Sequence, residues 1–175
     1  MQTDLEEDGP AGVWAERVRE CRERQTEKEQ NMKTVITKKP EETFALGEEL
    51  GRKAAPGQVY CLNGDLGVGK TVFTQGFAKG LGIEGPVNSP TFTILQSYEE
   101  GRLPLYLFDV YRIGDVEEMD EIGNEDYFYG DGVYFIEWAD LIREIIPAGH
   151  TRIEIEKNLE KGFDYRKITI ETMEN

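Results

Sequence analysis

Residues 64–71 read GDLGVGKT. Gly64, Gly69, Lys70 and Thr71 hold the fixed places of the G-x-x-x-x-G-K-[ST] pattern, and each type has a task. Glycines let successive backbone N–H groups turn inward onto an anion, and the helix that follows offers its unpaired N-terminal donors to the same charge. Lys70 would set a full positive charge on the β and γ phosphates, and the Thr71 hydroxyl would ligate Mg²⁺. The expected phosphate cradle covers Gly64, Gly67, Val68, Gly69, Lys70, Thr71 and Val72.

A phosphate-bound metal needs an acidic partner, normally where an apolar strand ends. Two strand ends qualify: LYLF runs into Asp109 and VYFI into Glu137. Spacing alone does not say which of them meets the metal. NSPTFT, residues 88–93, reads either as a nucleotide-sensing loop built on its threonine or as a Ser-Pro turn opening a strand. Arg112, three residues after Asp109, suits either charge stabilisation on a transferring phosphoryl group or a surface ion pair. His150 is assigned no role.

The elements around the glycines are those the motif requires. VYCL, residues 59–62, is a short apolar strand entering the glycine stretch, and TVFTQGFAKGLG follows with Phe73, Phe77 and Leu81 on one helical face. Upstream, TVIT is a β-branched strand, and PEETFALGEELGRKA begins with a proline suited to a first helical turn. Downstream, TFTILQSY and LPLYLFDVY form an expected hairpin through EEGR. A short helix is expected within residues 114–126, then VYFIEW as a strand and ADLIREII as a helix. RIEIE and YRKITIE alternate as a second strand pair. The order predicts an α/β fold, a three-layer P-loop NTPase domain with a central mixed sheet, over residues 32–175.

Residues 1–31 differ, with nine acidic and five basic residues and little core material, so they read as a charged extension, disordered or a short surface helix. Trp14, Val18 and Cys21 form a brief one-sided stripe there. The whole chain carries 35 acidic and 20 basic residues, a net charge of −15, which argues against unaided nucleic-acid binding. Two widely separated cysteines, Cys21 and Cys61, without C-x-x-C spacing, argue against a disulfide framework and a zinc site. No apolar run is long enough to span a bilayer and no signal-peptide pattern is present, so a cytoplasmic protein without membrane partners is expected.

Taken together and in order, GDLGVGKT, NSPTFTI, YLFDVYRI, EIGNEDYF and IEWAD resemble the bacterial TsaE family, the P-loop ATPases of tRNA threonylcarbamoyladenosine biosynthesis. The resemblance covers about residues 32–170. It implies that Lys70 contacts the phosphates, Thr71 and Glu137 serve the metal, and Asp109 orients water or metal. It also makes Thr91 the switch threonine and brings the turn near Gly162 beside the nucleotide. Trp138 falls near the site with no chemistry assigned. One departure from the family pattern is Leu107, where many members carry histidine.

The resemblance further implies a Mg²⁺-dependent ATPase, slow alone, acting on a TsaB–TsaD complex that modifies adenosine 37, with tRNA reached only through those partners. Two other readings of the residues stay open. A small-metabolite kinase would use Asp109 as base toward a substrate hydroxyl, and a nucleotide-gated binding module would exchange ATP and ADP without significant hydrolysis.

Overall fold

A computed structural model describes residues 19–20, 31–90, 94–121 and 130–174. Contacts divide the chain into residues 1–33 and 34–175. The stripe of Trp14, Val18 and Cys21 lies outside the described residues, as do Thr91 and most of EIGNEDYF.

The elements follow in the order β1 (Met32–Thr37), α1 (Pro40–Lys53), β2 (Val59–Asn63), α2 (Lys70–Gly80), β3 (Leu95–Tyr98) and β4 (Leu105–Asp109). Then come α3 (Glu117–Glu121), β5 (Val133–Glu137), a 3₁₀ segment (Ala139–Ile145), β6 (Thr151–Lys157) and β7 (Arg166–Thr172). The seven described strands form one sheet in the order β1-β7-β6-β2-β5-β4-β3. Strands β6, β2, β5 and β4 run parallel to one another, and β7 and β3 pair antiparallel to β6 and β4. The sheet is mixed, as the sequence predicts.

Alternation along the parallel strands builds two apolar layers. Tyr60, Leu62, Leu105, Leu107, Val133 and Phe135 face the helical pair α1 and α2, together with Phe73 and Phe77. The intervening Val59, Cys61, Phe108, Tyr134 and Ile136 pack with Met119, Ala139 and Ile142 on the opposite side. Burial on both faces explains why β2 and β5 read as unbroken apolar runs. Phe77 seats α2 on the sheet, its ring 4.8 Å from both Tyr60 and Phe135.

Helices α1 and α2 approach backbone to backbone. A Cβ at Gly47 would stand 2.3 Å from Phe73 O, at Gly51 2.1 Å from Phe77 O, and at Gly76 2.1 Å from Phe44 O. These glycines sit where no side chain fits, so the chemistry-bearing helix is held at a fixed distance from its neighbour. Arg102, from the turn joining β3 and β4, donates to the carbonyls of Gly51, Arg52 and Ala54 and closes the C-terminal end of α1.

Two expected elements come out differently. ADLIREII forms a 3₁₀ segment interrupted at Ile142, where φ is −123°. The strand VYFIEW stops at Glu137, because Trp138 has φ +62° and turns the chain out of the sheet. Among the described residues no helix is long and apolar enough to cross a membrane.

Candidate functional site

Strand β2 ends at Asn63 and α2 begins at Lys70, and the glycine loop bridges them at the carboxyl ends of the parallel strands, where open α/β sheets bind ligands. Gly69 is the residue before α2; its φ of +102° is a backbone state that side-chain-bearing residues rarely adopt. It brings no side chain to cap the helix, so the first-turn N–H groups of Lys70, Thr71 and Val72 have no intrahelical acceptor. The fourth, from Phe73, bonds Gly69 O at 3.1 Å. This geometry suits an anion at the head of α2.

Lys70 is buried, 8% exposed. Its ammonium donates to Gly64 O at 2.5 Å and Asp65 O at 2.9 Å, and lies 4.0 Å from the Trp138 ring centroid. Desolvation lowers its pKa, opposed by the charges of Glu137, Asp109 and Asp65. The ammonium therefore sits at the loop with acidic groups around it, able to serve a phosphate.

The two strand-end carboxylates are brought together by register. β4 and β5 pair in parallel with Asp109 opposite Glu137, and period-2 alternation turns both to the side that carries α2. Thr74, one helical turn after Lys70, donates to Lys70 O at 2.9 Å and reaches Glu137 Oε1 at 3.1 Å. Ser89 Oγ lies 2.8 Å from Glu137 Oε2 and 3.0 Å from Asp109 Oδ2. Tyr111 N–H donates to Asp109 Oδ1 at 3.0 Å. Glu137 is only 2% exposed; burial raises its pKa, against the lowering hydrogen bonds from Ser89 and Thr74.

Asp109, Glu137, Ser89 and Tyr111 line one cavity of about 770 Å³, together with Gly67, Gly69, Lys70, Thr71, Arg112 and Trp138, while Thr74 stands behind Glu137. The volume is that of a small-molecule site. Thr71 is exposed to it. Its hydroxyl and the Asp109 and Glu137 carboxylates are hard oxygen donors, a set that fits Mg²⁺ and leaves room for water and phosphate oxygens. Donor chemistry and placement thus both suit a metal-bound phosphate.

Other sequence-predicted residues stand elsewhere. Gly64 and Val68 line a second cavity of about 470 Å³ behind the loop, which shares Trp138 as a wall. Gly64 has φ +149°, and a Cβ there would meet Ile155 O at 2.7 Å, so its glycine is required by the loop's close passage over β6. Val68 is buried and its carbonyl accepts Arg166 Nε at 2.6 Å. Val72 is half-buried on the first turn of α2, outside the cavity lining. Gly162 occupies the β6–β7 turn and lines neither cavity, although Arg166 at the start of β7 joins that hairpin to the loop. Leu107 is fully buried in the core beside α2 and lines neither cavity. His150 Nδ1 pairs with Pro147 O at 2.9 Å, which fits its lack of assignment.

Two contributors, Ser89 and Thr74, escape sequence reasoning, and Trp138, expected near the site, carries no assigned role in it. Ser89 was overshadowed by the threonine of the same motif. Thr74 is detectable only by the i, i+4 spacing from Lys70, which puts both on one helical face. Trp138 is the only described non-glycine residue with positive φ, a strain that clusters at functional sites. Its N–H donates to Leu62 O at 3.0 Å and its ring lies 4.7 Å from Tyr111, so the turn is held from both sides.

The family model described as threonylcarbamoyl adenosine biosynthesis protein TsaE matches residues 37–168. The chain belongs to the TsaE family. The Bacillus subtilis (strain 168) tRNA threonylcarbamoyladenosine biosynthesis protein TsaE is 49% identical over 139 residues, covering 79% of this chain and 85% of the relative. The Treponema pallidum TsaE is 41% identical over 112 residues, 64% of this chain and 82% of the relative. The crystal structure of Bacillus subtilis YdiB superposes with a TM-score of 0.68 at 43% identity, covering 81% of this chain and 86% of that one. This TsaE-family chain therefore sits among proteins of tRNA threonylcarbamoyladenosine biosynthesis, on their α/β fold.

Proposed function

We propose that this TsaE-family chain is a Mg²⁺-dependent ATPase that drives a TsaB–TsaD partner complex through cycles of adenosine-37 modification. The observation that carries the reading is the meeting, in one cavity, of the α2 N-terminus, Lys70, Thr71 and the paired carboxylates Asp109 and Glu137. In this reading the loop amides and Lys70 hold the β and γ phosphates, and Thr71 and Glu137 hold the metal. Asp109 orients the water that attacks the γ-phosphoryl group in line, and Lys70 offsets the charge that develops. Mg²⁺ supplies Lewis-acid neutralisation of the phosphate oxygens. Thr91, two residues beyond Ser89, supplies the switch contact, and Gly162 lets the β6–β7 turn flank the nucleotide.

The domain's charge supports indirect action on tRNA. From Met32 onward there are 26 acidic and 15 basic residues, a net of −11, which disfavours a phosphate backbone. The partners would supply the basic surface, in the cytoplasm. The deciding experiment follows phosphate release from Mg·ATP by the chain alone and with the TsaB–TsaD pair. A slow basal rate that rises with the pair, and vanishes with Lys70→Ala, supports the reading. ATP binding without hydrolysis in either condition would replace it with a nucleotide-gated module, and a phosphorylated small molecule would replace it with a kinase.

A further inference from the structure

One side chain at the centre of this site has no task in the mechanism above. The Ser89 hydroxyl is within hydrogen-bond distance of both Asp109 and Glu137. Two carboxylates on adjacent strand ends repel each other, and a single hydroxyl between them is a small neutral spacer with one proton to share. The remaining oxygens are held separately, Glu137 Oε1 by Thr74 and Asp109 Oδ1 by the Tyr111 N–H. Each carboxylate thus has one oxygen fixed by its own surroundings and the other turned to Ser89.

The segment that delivers Ser89 is itself anchored. Gln75, on α2, donates from Nε2 to Val87 O at 3.1 Å. Pro90, immediately after Ser89, is buried and lines the cavity. The serine is therefore presented to the carboxylates from a fixed point on the helix that carries Lys70.

We infer that Ser89 is a positioning residue, whose hydroxyl sets the separation and facing of the Asp109 and Glu137 carboxylates so that a divalent cation meets them already aimed. The inference rests on the Mg·ATP reading. Without the hydroxyl, the half-exposed Asp109 is held through Oδ1 by the Tyr111 N–H, its Oδ2 loses its tie toward Glu137, and cation capture suffers. The anion grip of the loop amides and Lys70 does not pass through Ser89, so nucleotide binding without metal is left intact. This separation of metal from nucleotide is what an ordinary packing role would not produce.

The test uses the full chain as wild type, Ser89→Ala and Ser89→Thr. Mn²⁺ binding in the presence of ADP is read by electron paramagnetic resonance, and affinity for a fluorescent ATP analogue is read in EDTA. Removing a group that orients metal ligands typically weakens the metal by at least tenfold, so Ser89→Ala should raise the half-saturating Mn²⁺ about 10-fold. Affinity in EDTA should stay within about 2-fold, and Ser89→Thr should stay within about 3-fold of wild type on both readouts. If Ser89→Ala melts below the assay temperature, Ser89→Cys makes the same comparison, because a thiol is a weak donor of similar size. Wild-type Mn²⁺ affinity in Ser89→Ala overturns the inference. So does an equal loss in Ser89→Thr, which would make shape the cause. Nucleotide binding by wild type without any Mn²⁺ uptake removes the metal half of the functional reading and this inference with it. No nucleotide binding in either condition removes the functional reading as a whole.

Discussion

The α1–α2 contact and the rim at the strand ends both depend on glycine, for opposite reasons. Between the helices, Gly47, Gly51, Gly76 and Gly80 have ordinary backbone angles and no room: an added Cβ would stand 2.1–2.3 Å from a carbonyl oxygen in each case. At the rim, Gly67 has φ +71° and nothing within 4 Å of an added Cβ. The helix pair is limited by space, and the rim at Gly67 by backbone handedness alone. The first fixes where α2 sits; the second sets the curl of the loop at the head of α2. The helix pair is thus held by close backbone packing, and the rim by hydrogen bonds.

The comparison predicts its largest effect at the helix pair. Gly51→Ala should destabilise the fold by about 3 kcal/mol, the range for overpacking against backbone that cannot retreat. Urea unfolding measures it, and nucleotide affinity per folded molecule should not change. A wild-type midpoint would break the comparison outright.

Lys70→Ala should show the reverse pattern. Loss of the ammonium removes charge-assisted bonds to phosphate, and affinity for ATP should fall about 100-fold by calorimetry. The unfolding midpoint should hold or rise, because burial already lowers the pKa of Lys70 and its removal ends a desolvation cost. A fall in stability as large as that of Gly51→Ala would show that the rim is structural after all.

Glu137→Gln sharpens the same division through pH. The folded protein binds the Glu137 proton more tightly than the unfolded chain does, since burial raises its pKa above the ordinary 4.5. Stability from this group is complete below that value and is lost as pH rises through the folded pKa. The glutamine variant should therefore melt higher than wild type at pH 7, with the difference shrinking toward pH 4.5, while Mg²⁺ no longer strengthens ATP binding. Equal melting temperatures at both pH values would contradict the burial argument.

The smallest effect belongs to Gly67→Ala. Space is available, so only the left-handed backbone is penalised, at about 1 kcal/mol. Thermal unfolding and ATP affinity should both move slightly, and a loss comparable to that of Gly51→Ala would erase the distinction between the two kinds of glycine.

Much of the molecule was legible because its signals are local. Pro40 at the start of α1, the apolar face of Phe73, Phe77 and Leu81, and the alternation in β6 and β7 each report a neighbourhood of a few residues. The glycine loop before α2 was legible for the same reason, since the loop and the helix head are contiguous in sequence. Asp109 and Glu137 were found as strand ends, yet spacing could not rank them, and the fold shows why: register puts them side by side. The helix glycines carry no local signal of their role, because the backbone that leaves no room for a Cβ belongs to the facing helix.

The sequence by itself determined most of the element types, the glycine-rich stretch of residues 64–71 at the head of a helix, and the two strand-end carboxylates. These depend on residue type and short-range periodicity, which the chain carries directly. Tertiary structure alone decided that Ser89 stands between Asp109 and Glu137, that Thr74 holds the second of them, and that Trp138 turns left-handed over Lys70. Those contacts join residues 20, 48, 63 and 68 positions apart, and only strand register and helix packing bring such distant groups within hydrogen-bond or ring-contact reach.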